Sequence, residues 1–196
     1  GMMQVESRRA DSYRNFIRSY AACASFADAQ IDRVLDALDN CPRGKETVVV
    51  LWSDHGFHLG EKNHIEKFAL WEKSNHVPFI VLAPGTTKPN SVCEQPVDLT
   101  VLYPTLLELS GLPADKEADG VSVVPLLRNP KAKWERPAIM TYQRGNHAIR
   151  SQRWRYIRYA DGSEELYDHE TDPNDLETLK LQLGRLNDAV QKKTPA

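Results

Sequence analysis

Residues 51–72 read "LWSDHGFHLGEKNHIEKFALWE". A short apolar run enters an Asp54-His55-Gly56 corner and leaves through two more histidines, two lysines and three glutamates. The segment before the corner, ETVVVLW (46–52), is continuous and rich in β-branched residues, as strands covered on both faces are. A second such run, VPFIVLA, spans residues 77–83 and stops at Pro84-Gly85. Ligands in α/β sheets bind beyond the carboxyl ends of the strands, where Asp54 and His55 fall. Gly56 lets the chain bend there without a Cβ clash. A carboxylate and an imidazole on adjacent residues can then share one cavity and contribute two ligands to a cation. The competing arrangement has Asp54 capping a turn and His55 bonded to nearby backbone. For the loop that follows, His58, Glu61, Lys62, His64, Glu66 and Lys67 are denser than a plain connection needs, and long loops at strand ends carry function more often. Lys67 beside a metal would offer positive charge to an anionic oxygen. Its alternative is a solvated surface lysine.

Outward from this stretch, residues 11–39 carry Phe16, Tyr20, Cys23, Ala27, Ile31, Val34 and Leu38 at three- and four-residue steps. That spacing predicts one long amphipathic helix, ended by Asn40-Cys41-Pro42-Arg43-Gly44. Residues 98–109 form another, with Asp98 as N-cap and Gly111 as the stop. After about residue 134 the pattern changes to short alternating runs, AIMTYQ, HAIRSQ, WRYIRYA and EELYD, parted by turn residues. A last helix is expected over 174–192. The fold class is α/β. Buried, mainly parallel strands with flanking helices fill residues 1–133, and a small antiparallel sheet with a terminal helix fills 134–196.

The composition narrows the function. A net charge of -2 over 196 residues lacks the basic excess of a nucleic-acid surface, so no nucleic acid is expected as partner. No run approaches a membrane span, and no membrane association is expected. The start, GMMQVESRRADSYR, is polar and shows no signal peptide, which leaves the cellular compartment unknown. Cys23, Cys41 and Cys93 are odd in number and widely spaced, so they read as free thiols.

SDHGFHLGE, then Lys67, then Leu70-Trp71-Glu72, resembles the type I sulfatases of the alkaline-phosphatase superfamily, nearest the iduronate-2-sulfatase-like branch. YAACASFADAQIDRVLDAL, NHVPFIVLAPG, VDLTVLYPTLLELSGLP and RSQRWRYIRY with EELYDHETDPND resemble further family segments in the same order. The resemblance implies the C-terminal part of an alkaline-phosphatase-like core, with Asp54 and His55 as ligands of a divalent cation, usually calcium (Ca2+). Lys67 is implied as the catalytic group that touches the sulfate and its leaving oxygen. Glu61 and Glu72 would anchor the loop. His58 and His64, without firm counterparts, are candidate substrate contacts. His76, Arg144, His147 and Arg150 are candidates for the pocket rim or an anionic sugar, with structural or surface roles preferred.

The family's Cys-x-Pro-Ser-Arg or Ser-x-Pro-Ser-Arg segment, whose first residue becomes formylglycine, does not occur among these residues. The expectation is a sulfuric ester hydrolase piece that supplies part of a metal and sulfate site and is inactive alone. It would act on a sulfated small molecule or glycan once completed by an N-terminal half, and would self-associate through an exposed apolar sheet edge. Relatives are commonly exported or lysosomal. The alternatives are a phosphonate or phosphate ester hydrolase of the same superfamily, or a non-catalytic oligomerisation or carbohydrate-binding module.

Overall fold

A computed structural model describes residues 2–175, with side chains from residue 11 onward. Two compact units meet in sequence at Thr47 and Val48. The expected boundary near residue 133 lies inside the second unit, just ahead of its largest sheet. The helix expected over 174–192 lies outside the described residues.

The first unit is one helix, α1 (Met2–Asp39), followed by a turn. The chain breaks at Asn40, whose side chain folds back to donate to the Asp36 carbonyl at 2.7 Å. Its apolar stripe is only partly covered. Phe16, Ile31 and Leu38 are half-buried, while Phe26 and Val34 are exposed.

The second unit opens with β1 (Val49–Trp52) and returns with β4 (Phe79–Leu82). These strands were expected to be parallel and covered on both faces. They pair antiparallel with each other instead, Val49 opposite Leu82 and Trp52 opposite Phe79. The cause lies in the connection. It leaves and rejoins the pair at the same end, where the Ser53 amide donates to the Pro78 carbonyl at 3.3 Å. No helix carries the chain back along the strands, as a parallel neighbour requires. One face stays open, with Ile80 57% and Leu82 55% exposed. An all-apolar run does not reveal which direction its neighbour takes.

The connection contains β2 (His58–Leu59) and β3 (Ile65–Glu66), paired antiparallel with His58 opposite Glu66, and a single helical turn, α2 (Glu72–Asn75). Next comes α3 (Leu102–Leu109). Asp98 caps the turn that leads into it, accepting from the Thr100 amide at 3.2 Å, and Gly111 ends it at φ +67°. The buried Thr105 hydroxyl donates to the Val101 carbonyl and accepts from the Val123 amide. It thereby ties α3 to the approach of α4 (Val124–Arg128). Val101, Val123 and Leu126 form a core patch there, with Phe79 of β4 packed against it.

The expected meander is present as β5 (Ala138–Thr141), β6 (His147–Arg150), β7 (Trp154–Arg158) and β8 (Glu164–Asp168), antiparallel in that order. Ala148, Ile157 and Tyr167 point to one face and close over Leu70 of the long connection. That contact fixes the long connection onto the sheet. Burying a side chain such as Ile157 stabilises by about 1.5–3 kcal/mol.

Candidate functional site

The corner after β1 is set by close backbone packing. The Gly56 amide donates to the Ser74 carbonyl at 2.8 Å. A Cβ at Gly56 would stand 2.0 Å from the Lys73 carbonyl oxygen, so only glycine fits. The Ser53 hydroxyl donates to the His55 carbonyl at 2.7 Å.

His55 Nδ1 lies 2.8 Å from the Gly56 carbonyl, which can only accept, so Nδ1 carries the hydrogen. The lone pair on Nε2 is then free to accept, and the Lys67 Nζ donates to it at 2.8 Å. Asp54 Oδ1 stands 3.8 Å from the same Nε2. A carboxylate, an imidazole and an ammonium thus meet around one nitrogen. The Asp54 side chain is 82% exposed and that of His55 35%. The group is open to solvent and to a ligand. Lys67 also sits 5.7 Å from the Phe68 ring centroid, a cation–π placement.

His58 and His64 belong to a different arrangement. His58 is 1% exposed, and both of its ring nitrogens are buried without hydrogen-bond partners. Its ring meets the His64 ring edge-on at 5.1 Å and the Trp71 ring at 5.7 Å. Burial, then the neighbouring His64, lowers the His58 pKa. His58, expected as a candidate substrate contact, packs against Trp71 and is closed off from solvent in this chain. His64 shares the cluster, with its Nε2 buried. Glu61 anchors the loop as expected, its carboxylate accepting from the Leu59 amide at 2.7 Å.

A second ionic cluster joins this loop to the sheet. Glu72 and Asp175 face Arg155, which is 2% exposed. The Arg155 guanidinium touches the Glu72 carboxylate and lies 2.9 Å from Asp175 Oδ2. It also donates to the Leu70 carbonyl at 2.9 Å. His76 pairs with Glu72 at 2.9 Å, His169 with Asp175 at 2.9 Å, and the Arg150 guanidinium approaches Glu72 at 3.7 Å. Burial pushes the Glu72 pKa up, but the bonds from His76 and Arg155 overcome it and leave it at about 2. Glu72, His169 and Asp175 have donor atoms within 4.8 Å of one another, a spacing that a metal could use. Arg155 already supplies the cation to both carboxylates, so the cluster is an ion-pair joint. His76 and Arg150 therefore have structural partners. His147 Nδ1 lies 2.9 Å from the Thr141 hydroxyl, on the sheet.

The sequence carries a signal for Arg155. In β7, residues alternate faces, so Arg155 shares the covered face with Ile157. A charge on that face demands a buried partner.

The protein-family model described as Sulfatase matches residues 3–112. The model described as N-sulphoglucosamine sulphohydrolase, C-terminal, matches residues 60–193. A protein named "Sulfatase" from Formosa agariphila is 44% identical over 163 residues, which cover 83% of this chain and 32% of that one. The Delta 4,5-hexuronate-2-O-sulfatase of Bacteroides thetaiotaomicron is 29% identical over 194 residues, 91% of this chain and 40% of that one. Among solved structures, a 2-O GAG sulfatase superposes with a TM-score of 0.73 at 27% identity, covering 92% of this chain and 44% of the other. The chain thus spans between 32% and 40% of the length of these two curated relatives.

Proposed function

The chain belongs to the sulfatase family, and from that premise we propose that Asp54, His55 and Lys67 form the metal-and-lysine part of a sulfate ester hydrolase site. One observation carries this: the Nε2 of His55 lies between the Lys67 ammonium and the Asp54 carboxylate. The residues fit a divalent cation, because the Nδ1–H bond to Gly56 leaves a lone pair on Nε2 that a cation would take over from the Lys67 ammonium, with Asp54 Oδ1 3.8 Å away as a second donor. Two ligands do not complete any divalent site, so carboxylates outside these residues would be needed. Calcium is the cation the family suggests. A nitrogen donor is more usual for softer metals, and the choice rests on the missing ligands. A bound cation would supply charge that neutralises the sulfate oxygens. Lys67 binds and orients the anionic group and gives positive charge, or a proton, to the oxygen that leaves as an alcohol.

The substrate class that fits is a sulfated glycan. The support is the two relatives whose names specify 2-O-sulfated uronate or glycosaminoglycan chemistry. The match of residues 60–193 to a sulphohydrolase C-terminal model favours sulfate over phosphonate esters. The 196 residues hold no formylglycine segment, so the chain alone is expected to hydrolyse a chromogenic aryl sulfate no faster than the blank. Turnover above the blank would overturn that. The open Ile80 and Leu82 on β4 support self-association. Light scattering is expected to show a concentration-dependent rise in mass, and a clean monomer at high concentration would contradict it.

A further inference from the structure

Lys67 stands midway between two residues that the same side chain or backbone group holds. Lys62 lies five positions before it and Glu72 five after. The Lys62 ammonium donates to the main-chain oxygen of Asp175 at 3.0 Å and to the Tyr167 hydroxyl at 2.6 Å. It also lies 4.6 Å from the centroids of both the Trp71 and Tyr167 rings. On the other flank, the Glu72 amide donates to Asp175 Oδ2 at 2.7 Å. Asp175 is 0% exposed, and its two carboxylate oxygens also meet Arg155 and His169. Between the flanks, Lys62, Asn63 and Glu66 adopt left-handed backbone conformations at φ 55°, 56° and 88°. Such conformations cost of order 1–3 kcal/mol each and persist only where surroundings enforce them.

The geometry points to Asp175 as a positioning residue that pins both flanks of the loop and so sets the Lys67 ammonium against His55 Nε2. This rests on the reading of Lys67 as a site residue given above. The contacts of Asp175 run to Lys62, Glu72, Arg155 and His169. It acts through Lys62 and Glu72. Between the two flanks the loop is also tied down by the pairing of β3 with β2 and by buried Leu70, whose carbonyl accepts from Arg155. Sequence 62–72 thereby depends on a residue more than a hundred positions away.

The test uses Asp175→Gly in the full chain, because glycine tolerates the left-handed conformation at φ 54° and removes the carboxylate that accepts from the Glu72 amide. Two readouts are taken: amide hydrogen exchange, and the nitrogen resonance of His55 Nε2. Exchange over residues 63–72 is expected to rise about tenfold while β5–β8 stay protected. The His55 Nε2 resonance is expected to move toward that of Lys67→Met. A merely structural role would raise exchange throughout the sheet and leave the resonance in place; that result, or no change in the loop, overturns the proposal. Should Asp175→Gly fail to fold, Lys62→Met, which keeps the apolar stem and releases the other flank from the Asp175 main-chain oxygen, is read by the same two readouts. Titration of the unaltered chain with calcium and inorganic sulfate separates the two ideas. Its failure would sink the site reading, while the exchange pattern still decides the role of Asp175.

Discussion

Two clusters in this molecule use the same three chemistries. Asp54, His55 and Lys67 join a carboxylate, an imidazole and a cation at the end of β1. Glu72 and Asp175, His169 and Arg155 do so between the loop and the meander. Burial separates them. The first is open, with Asp54 mostly in water; the second is closed, with Arg155 and Asp175 almost wholly covered. Charges that lose their water must satisfy each other, so the second cluster is committed to its own partners. Charges that keep their water remain available to a third party. The open cluster is therefore the place to look for chemistry, and the closed one is what holds it in place.

Breaking a buried pair should have the largest effect. Glu72→Ala leaves Arg155 without its carboxylate and is expected to cost about 3–5 kcal/mol in urea denaturation. Asp54→Ala should leave the midpoint where it was. Similar losses at both positions would erase the contrast.

Acid should strike the same joint next. The Glu72 pKa is depressed from 4.5 to about 2, so its contribution is full above the unfolded value and is lost as pH falls through the folded one. The chain should lose about 3 kcal/mol of stability between pH 4.5 and 2 from this group. Glu72→Gln should flatten that limb in acid titrations followed by circular dichroism. An unchanged slope would show that Glu72 is not held ionised. His76 runs the other way. Its pKa is raised by the bond to Glu72, so its contribution is present below the ordinary value of 6.5 and fades as pH climbs through the raised one. His76→Ala should remove that mild decline and, because its bond helps to keep Glu72 ionised, soften the acid limb as well.

A smaller change should follow Trp71→Phe, which deletes the indole donor to Glu165 at 2.7 Å and keeps the ring near His58. A loss of about 1.5 kcal/mol is expected, as for a hydrogen bond to a charged acceptor. A loss as large as that of Glu72→Ala would mean that ring packing, and not the ion pairs, holds the loop to the sheet.

Much of this was legible in the sequence where a period was present. The alternation in AIMTYQ, HAIRSQ, WRYIRYA and EELYD yields β5 to β8, and the helical steps from Phe16 to Leu38 yield α1. The Asp54-His55-Gly56 corner and Lys67 were also readable, because family motifs and loop density agree there. Pairing direction was not readable, since VVVLW and VPFIVLA are apolar at every position and look alike in parallel and antiparallel neighbours. The setting of the histidines was hidden for a related reason. Composition marks His58 and His64 as polar, but only the fold shows Trp71 covering them. Arg155 and Asp175 lie far from the loop in sequence, and nothing local announces that they meet it.

Calorimetric titration of calcium into the chain, in the presence of inorganic sulfate, tests the central claim most directly. Weak binding, from two of the ligands that a full site needs, should be seen in the unaltered chain, fall at least tenfold in His55→Ala and in Lys67→Met, and survive in His169→Gln. Equal heats for all four proteins, or loss confined to His169→Gln, would contradict the assignment of the open cluster as the site.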